Sequence, residues 1–116
     1  MTMDKKLVSE MEGRVGIVRV LESLDAEVSY VLEEELEAIL DRKPDGFIVD
    51  LAETRLILND GLRVLLAAAR QARKTGTRLA LCGLGSHERE LLEISGLASL
   101  FEIYPTRAEA LAALKR

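Results

Sequence analysis

The run Phe47-Ile48-Val49-Asp50-Leu51 decides the fold, together with Ile57-Leu58-Asn59-Asp60-Gly61-Leu62-Arg63, which follows after a short connection. The first run is apolar except for Asp50, which suits a strand covered on both faces. Residues 52–58 form an irregular connection that ends in a second apolar burst, Leu56-Ile57-Leu58. A helical pattern then runs from Asp60 to about Thr75. Leu62, Leu65, Leu66, Ala69 and Ala72 recur on one stripe, and Arg63, Arg70, Arg73 and Lys74 lie mostly away from it. Asn59 and Asp60 are both good N-cap residues, because a short side-chain oxygen can accept a hydrogen bond from an orphan amide of the first turn. Gly61 has no side chain and lets another surface approach the backbone. A partly exposed helix start, with free N–H groups and the positive end of the dipole, suits recognition of an anion or a partner. The plainer reading is an ordinary cap between a strand and a helix.

Working outward, the pattern alternates. Residues 7–11 and 15–21 are apolar-rich around Glu12-Gly13-Arg14, and Val15, Ile17, Val18 and Val20 are β-branched, which predicts an antiparallel hairpin. Asp25 is a fair N-cap for a helix whose apolar side carries Val28, Val31, Leu32, Leu36, Ile39 and Leu40. Its opposite side is acidic, with Glu33, Glu34, Glu37 and Asp41, and reads as a solvated face. That helix should end near Arg42, because the residue before Pro44 avoids helical geometry. Gly76 is the expected stop of the next helix.

Residues 78–82 read as a further buried strand and residues 83–85 as a loop. Ser86 is placed to cap a third helix, with Leu91, Leu92 and Ile94 as its apolar positions and Gly96 as its end. Residues 100–104 read as a last strand. Thr106 and Glu109 have the spacing of a capping box at the start of a final helix, which turns Ala110, Leu111 and Leu114 inward. Two strands followed by alternating helix and strand predict an α/β fold with a partly parallel sheet, helices packed on it and right-handed crossovers. At 116 residues, one domain over 1–116 is the expectation.

Composition narrows the function. Aromatic residues make up 3% and Trp is missing, so the core is aliphatic and a base-stacking nucleic-acid surface is not supplied. A net charge of −4 also argues against nucleic acid, whose phosphates need a basic surface. No apolar run approaches the about 20 residues that span a membrane, and residues 1–6 lack the apolar core of a signal peptide. The single Cys cannot form an internal disulfide and fits a reducing compartment. A cytoplasmic protein is the expectation.

Catalytic chemistry is poorly supplied. His87 is the only histidine, beside Ser86 and five residues after Cys82. Nucleophilic attack by a Cys–His pair needs contact between the two. A core thiol at a strand end and an exposed imidazole at a helix start is the reading that the pattern favours. No spacing suggests a metal site, and Gly83-x-Gly85 is too short a fragment for a nucleotide loop. Asp50 could imitate the phospho-acceptor of a receiver domain, but the acidic pair and late Lys that such a site needs are not evident. No cofactor is expected, and the chain reads as a non-enzyme.

Several stretches, taken in order, resemble a STAS domain, specifically a stand-alone anti-sigma-factor antagonist. Ser23-Leu24-Asp25-Ala26 resembles the family's Leu-Asp-Ala segment before the first helix, and Ile48-Val49-Asp50-Leu51 its central strand. Leu58-Asn59-Asp60-Gly61-Leu62 stands where the family has Asp-Ser-Ser/Thr-Gly-Leu. Lys74-Thr75-Gly76-Thr77-Arg78-Leu79 resembles the turn into the next strand, and Ser95-Gly96-Leu97 through Phe101 the family's Gly-Leu and Phe near the end.

The resemblance implies a mixed sheet of four to five strands flanked by about four helices. It implies a binding module that docks on an anti-sigma factor, often one with a kinase fold, and is released when that kinase phosphorylates the first Ser of the motif. Here Leu58 stands at the Asp position, Asn59 at the phosphorylated Ser and Asp60 at the following Ser/Thr, so no phosphorylation is expected at Asn59. Asp60 either imitates part of a phosphate's charge or serves only as a helix N-terminal acid. Asp25, Asn59, Asp60, Gly61 and Arg63 are the expected partner-binding residues. The expected partner is a kinase-like anti-sigma protein, with neither nucleic acid nor membrane involved. The alternative is a scaffold or ligand-sensing STAS component of a larger assembly, and a homo-oligomer is left open.

Overall fold

A computed structural model of the chain describes residues 6–115, so the reading of residues 1–5 falls outside the described residues. The elements, in order, are β1 (Leu7–Glu12), β2 (Val15–Val20), α1 (Ala26–Asp41), β3 (Gly46–Asp50), α2 (Asn59–Thr75), β4 (Arg78–Cys82), α3 (Ser86–Ser95), a 3-10 turn (Leu97–Leu100), β5 (Glu102–Tyr104) and α4 (Arg107–Leu114). The expected hairpin is present: β1 pairs antiparallel with β2, Leu7 opposite Val20 and Glu12 opposite Val15. Strands β2 to β5 are all parallel, and the spatial order of the five strands is their chain order. This is the expected α/β architecture, a mixed five-stranded sheet with four helices.

The period-two alternation of a strand divides the apolar residues between two faces. Val18, Val20, Phe47, Val49, Leu79 and Leu81 point to the face covered by α1 and α2, where Leu32, Leu36, Val64, Leu65 and Ala68 meet them. Ile17, Ile48, Ala80 and Cys82 point to the other face, where α4 lays Ala110 and Leu114 over them. Both faces of the central strands are therefore covered, which is why β3 reads as an unbroken apolar run.

Five expectations are corrected. The start of α2 is capped by the backbone of Leu58, and neither Asn59 nor Asp60 acts as its N-cap. The buried side of α2 is Gly61, Val64, Leu65, Ala68 and Ala72, because the helix lies on the sheet beside α1 and turns its apolar arc toward both. Leu62, Leu66 and Ala69 are left half-buried. Helix α3 begins after Gly85 with no side-chain cap, so Ser86 is its first residue and caps nothing. Only Leu92 of α3 is buried, while Leu91 is 52% and Ile94 76% exposed, since this short helix meets the core along one narrow side. Finally, residues 97–100 wind into the 3-10 turn, which shortens the last strand to three residues. Helix α4 turns Ala110, Leu111 and Leu114 to the core as expected, with Leu111 half-buried and Ala113 buried beside them.

Candidate functional site

The corner where α1 and α2 begin is built from two loops joined by their backbones. After β2 the chain passes through Leu24, which donates its N–H to the Leu56 carbonyl at 2.7 Å and accepts from the Leu58 N–H at 3.1 Å. Leu24 and Ile57 thus form a one-residue parallel bridge beyond the end of the sheet. The loop is also tied to the tip of β2, because the Thr54 hydroxyl donates to the Val20 carbonyl at 3.0 Å. The same connection is anchored to β4 by a 2.8 Å bond from the Leu51 N–H to the Cys82 carbonyl.

Asp25, next to Leu24, performs the capping expected of it. Its Oδ1 accepts from the Val28 N–H at 2.9 Å, which satisfies one orphan donor of α1. Asp25 is half-buried. Opposite it, α2 opens without a side-chain cap, and Asn59 and Asp60 occupy its first two helical positions, both exposed. Asp60 is the acid of the first turn and complements the positive end of the helix. Arg63 is exposed one turn further on.

Gly61 behaves differently from the expectation of a partner contact. It is buried, and a β-carbon there would stand 2.5 Å from Leu24 Cγ. The close approach that its missing side chain permits is taken by Leu24 of the same chain. The structure therefore brings Asp25, Asn59, Asp60 and Arg63 to one end of the molecule and sets Gly61 beneath them.

Beside this corner lies an apolar cleft of about 150 Å³ between the start of α2 and α3. Leu58, Leu62, Leu84 and Leu91 line it, Phe101 and Leu81 form its floor, and Asn59 and Glu88 supply polar rim atoms. Leu58 is 47% and Leu91 52% exposed. The sequence reading did not place Leu58 or Leu91 at the site. The available signal was an apolar residue at the position where the family carries Asp.

The groups that point to catalysis are not joined. Cys82 is buried in the layer beneath α4, where burial, and then the neighbouring Asp50 carboxylate, push its thiol up to about 12. At neutral pH it is a protonated core side chain. His87 is exposed on α3, and no hydrogen bond joins the two among the described residues. Asp50 is occupied in its own turn, accepting from the Ala52 N–H at 3.0 Å. Among the described residues no three His, Cys, Asp or Glu side chains are grouped so as to hold a metal ion, and no helix is long and apolar enough to cross a membrane.

Comparison with known proteins agrees with this architecture. The STAS domain model matches residues 6–110. A protein of Bordetella bronchiseptica named as an anti-sigma factor antagonist, BtrV, is 38% identical over 118 residues, covering 99% of this chain and 94% of that protein. The anti-sigma F factor antagonist of Paenibacillus polymyxa is 29% identical over 91% of this chain and 93% of its own length. Among solved structures, one from Thermotoga maritima named as an anti-sigma factor antagonist superposes with a TM-score of 0.86 at 18% identity, covering 95% of each chain. The chain belongs to the STAS domain family of anti-sigma factor antagonists.

Proposed function

We propose that this chain is an anti-sigma-factor antagonist, a partner-switching adaptor that docks the start of α2 on a kinase-like anti-sigma protein in the cytoplasm. It works by binding alone, with no catalytic activity of its own. The observation that carries this reading is the exposed start of α2, uncapped by any side chain and set beside Asp25. Shape comes from the apolar cleft next to it, and charge from Asp60 and Arg63. Asn59 carries no hydroxyl, so the usual phosphoryl transfer to this position has no acceptor. Release of the partner is then controlled elsewhere than by modification of Asn59.

The test is affinity capture from the native cytosol with the tagged chain, followed by identification of the bound protein. A kinase-fold anti-sigma protein should be recovered. Asp60→Lys should recover less of it by reversing charge at the contact, while costing the fold only about 0.3–1 kcal/mol through the helix dipole. Full capture by folded Asp60→Lys would remove the start of α2 from the contact.

A further inference from the structure

Helices α1 and α2 lie side by side on one face of the sheet, and their outward sides carry opposite charge. On α1, Glu37 and Asp41 are exposed one turn apart, and on α2, Arg70 and Lys74 are exposed at the same spacing. Among the described residues none of these four side chains makes an ion pair. A groove keeps the two stripes apart, with Leu36 and Leu40 on its α1 side and Val64 and Ala68 on its α2 side.

The stripes are also level with each other. Both helices leave the same ends of parallel strands, and the Leu24–Ile57 bridge ties their starts together. Glu37 shares the groove with Gln71, the neighbour of Arg70, and Asp41 shares the hollow below it with Thr75, the neighbour of Lys74.

We propose that this face is an interface between two copies of the chain, related by a two-fold axis along the groove. A half turn about that axis lays α1 of one copy over α2 of the other and leaves every height unchanged. Glu37 then faces the second copy's Arg70, and Asp41 faces the second copy's Lys74. Symmetry repeats both pairs. An axis across the groove would instead set α1 on α1, acid against acid, so electrostatics selects one of the two face-to-face arrangements.

Two helices of 16 and 17 residues offer a patch at the low end of specific interfaces. The dimer is therefore weak and sensitive to salt, as exposed ion pairs are. Asn59 and Asp60 lie at the far end of α2, so self-association and the proposed docking on an anti-sigma protein use different residues, and either can fail alone.

Sedimentation velocity on the intact chain tests the proposal. The wild type should associate reversibly at about 50 mM salt, and the association constant should fall at least about tenfold at about 500 mM, where the Debye length shortens to a few ångströms. Arg70→Glu and Glu37→Arg should each sediment as monomers at low salt, because each homodimer would meet like charges. Mixing these two variants should restore a dimer, since every crossed pair is again opposite in sign, and the double variant should dimerise with itself. Circular dichroism should show all of them folded, because both positions are exposed. Three results would each overturn the proposal: a monomeric wild type at low salt, a dimer indifferent to either substitution, or a mixture that stays monomeric. A monomeric wild type would leave the charged stripes to a different partner protein.

Discussion

Leu24 and Gly61 are packed backbone against side chain, so closely that a β-carbon on Gly61 would stand 2.5 Å from Leu24 Cγ, 2.7 Å from its Cδ2 and 2.9 Å from its Cβ. Leu24 is fully buried and held by two backbone hydrogen bonds, so it has nowhere to retreat. Gly61→Ala should therefore destabilise the fold. Overpacking of a tight core costs about 1–3 kcal/mol, and replacing Gly within a helix returns up to about 1 kcal/mol. A net loss of about 1–2 kcal/mol is expected in urea unfolding. A gain in stability would show that the contact is looser than described.

Asn59→Ser, combined with Leu58→Asp, restores the family's acid and hydroxyl at the start of α2. The expected outcome, which rests on the proposed function, is gain of modification. A captured kinase-like partner supplied with labelled ATP should label the double variant and leave the wild type unlabelled at this segment. Label on the wild-type segment would contradict the reading of Asn59 as a position without a switch.

Cys82 predicts a pH dependence of definite sign. Its thiol is pushed up to about 12 in the folded chain, chiefly by burial, whereas the unfolded chain titrates near the ordinary value of 9.0. Above that value the unfolded state binds fewer protons than the folded one, so stability falls as pH rises. The contribution is fully present below about pH 9 and is lost progressively toward pH 12, which alkaline melting curves of the wild type and Cys82→Ala can separate. At pH near 8 a thiol reagent should react with the unfolded chain and leave the native one untouched.

Helix α3 supplies a contrast between neighbours. Leu92→Ala should cost about 2–5 kcal/mol, because that side chain is buried against the α1/α2 face of the sheet. Ile94→Lys should change stability by no more than about 0.5 kcal/mol, since Ile94 is largely in solvent. Thermal denaturation of the two variants distinguishes this arrangement from one in which both residues are core.

These contrasts show where the sequence was legible. The parallel strands were readable because β3 and β4 are buried on both faces and so lose the alternation of an exposed strand. Asp25 and Thr106 were readable as caps because their side chains bond locally, to Val28 and Glu109. The turn of α2 was not readable, since its sequence offers apolar residues on more than half of its circumference and only contact with the sheet and α1 selects the arc from Gly61 to Ala72. Ile94 was misread for a related reason: helical spacing says which residues share a side, and the width of the neighbouring element says how many of them are covered. At the candidate site, the exposure of Asn59, Asp60 and Arg63 followed from their chemistry. The burial of Gly61 depended on Leu24, 37 positions earlier in the chain, and no local pattern announces such a contact.

The clasp that Leu24 makes on Leu56 and Leu58 has a thermodynamic consequence. Two loops that would otherwise move separately are joined as one template, so under the proposed docking little chain entropy is surrendered when the partner settles on them. A push on one loop is felt by the other, and whatever loosens the grip at Leu24 alters the footing of both helices at once.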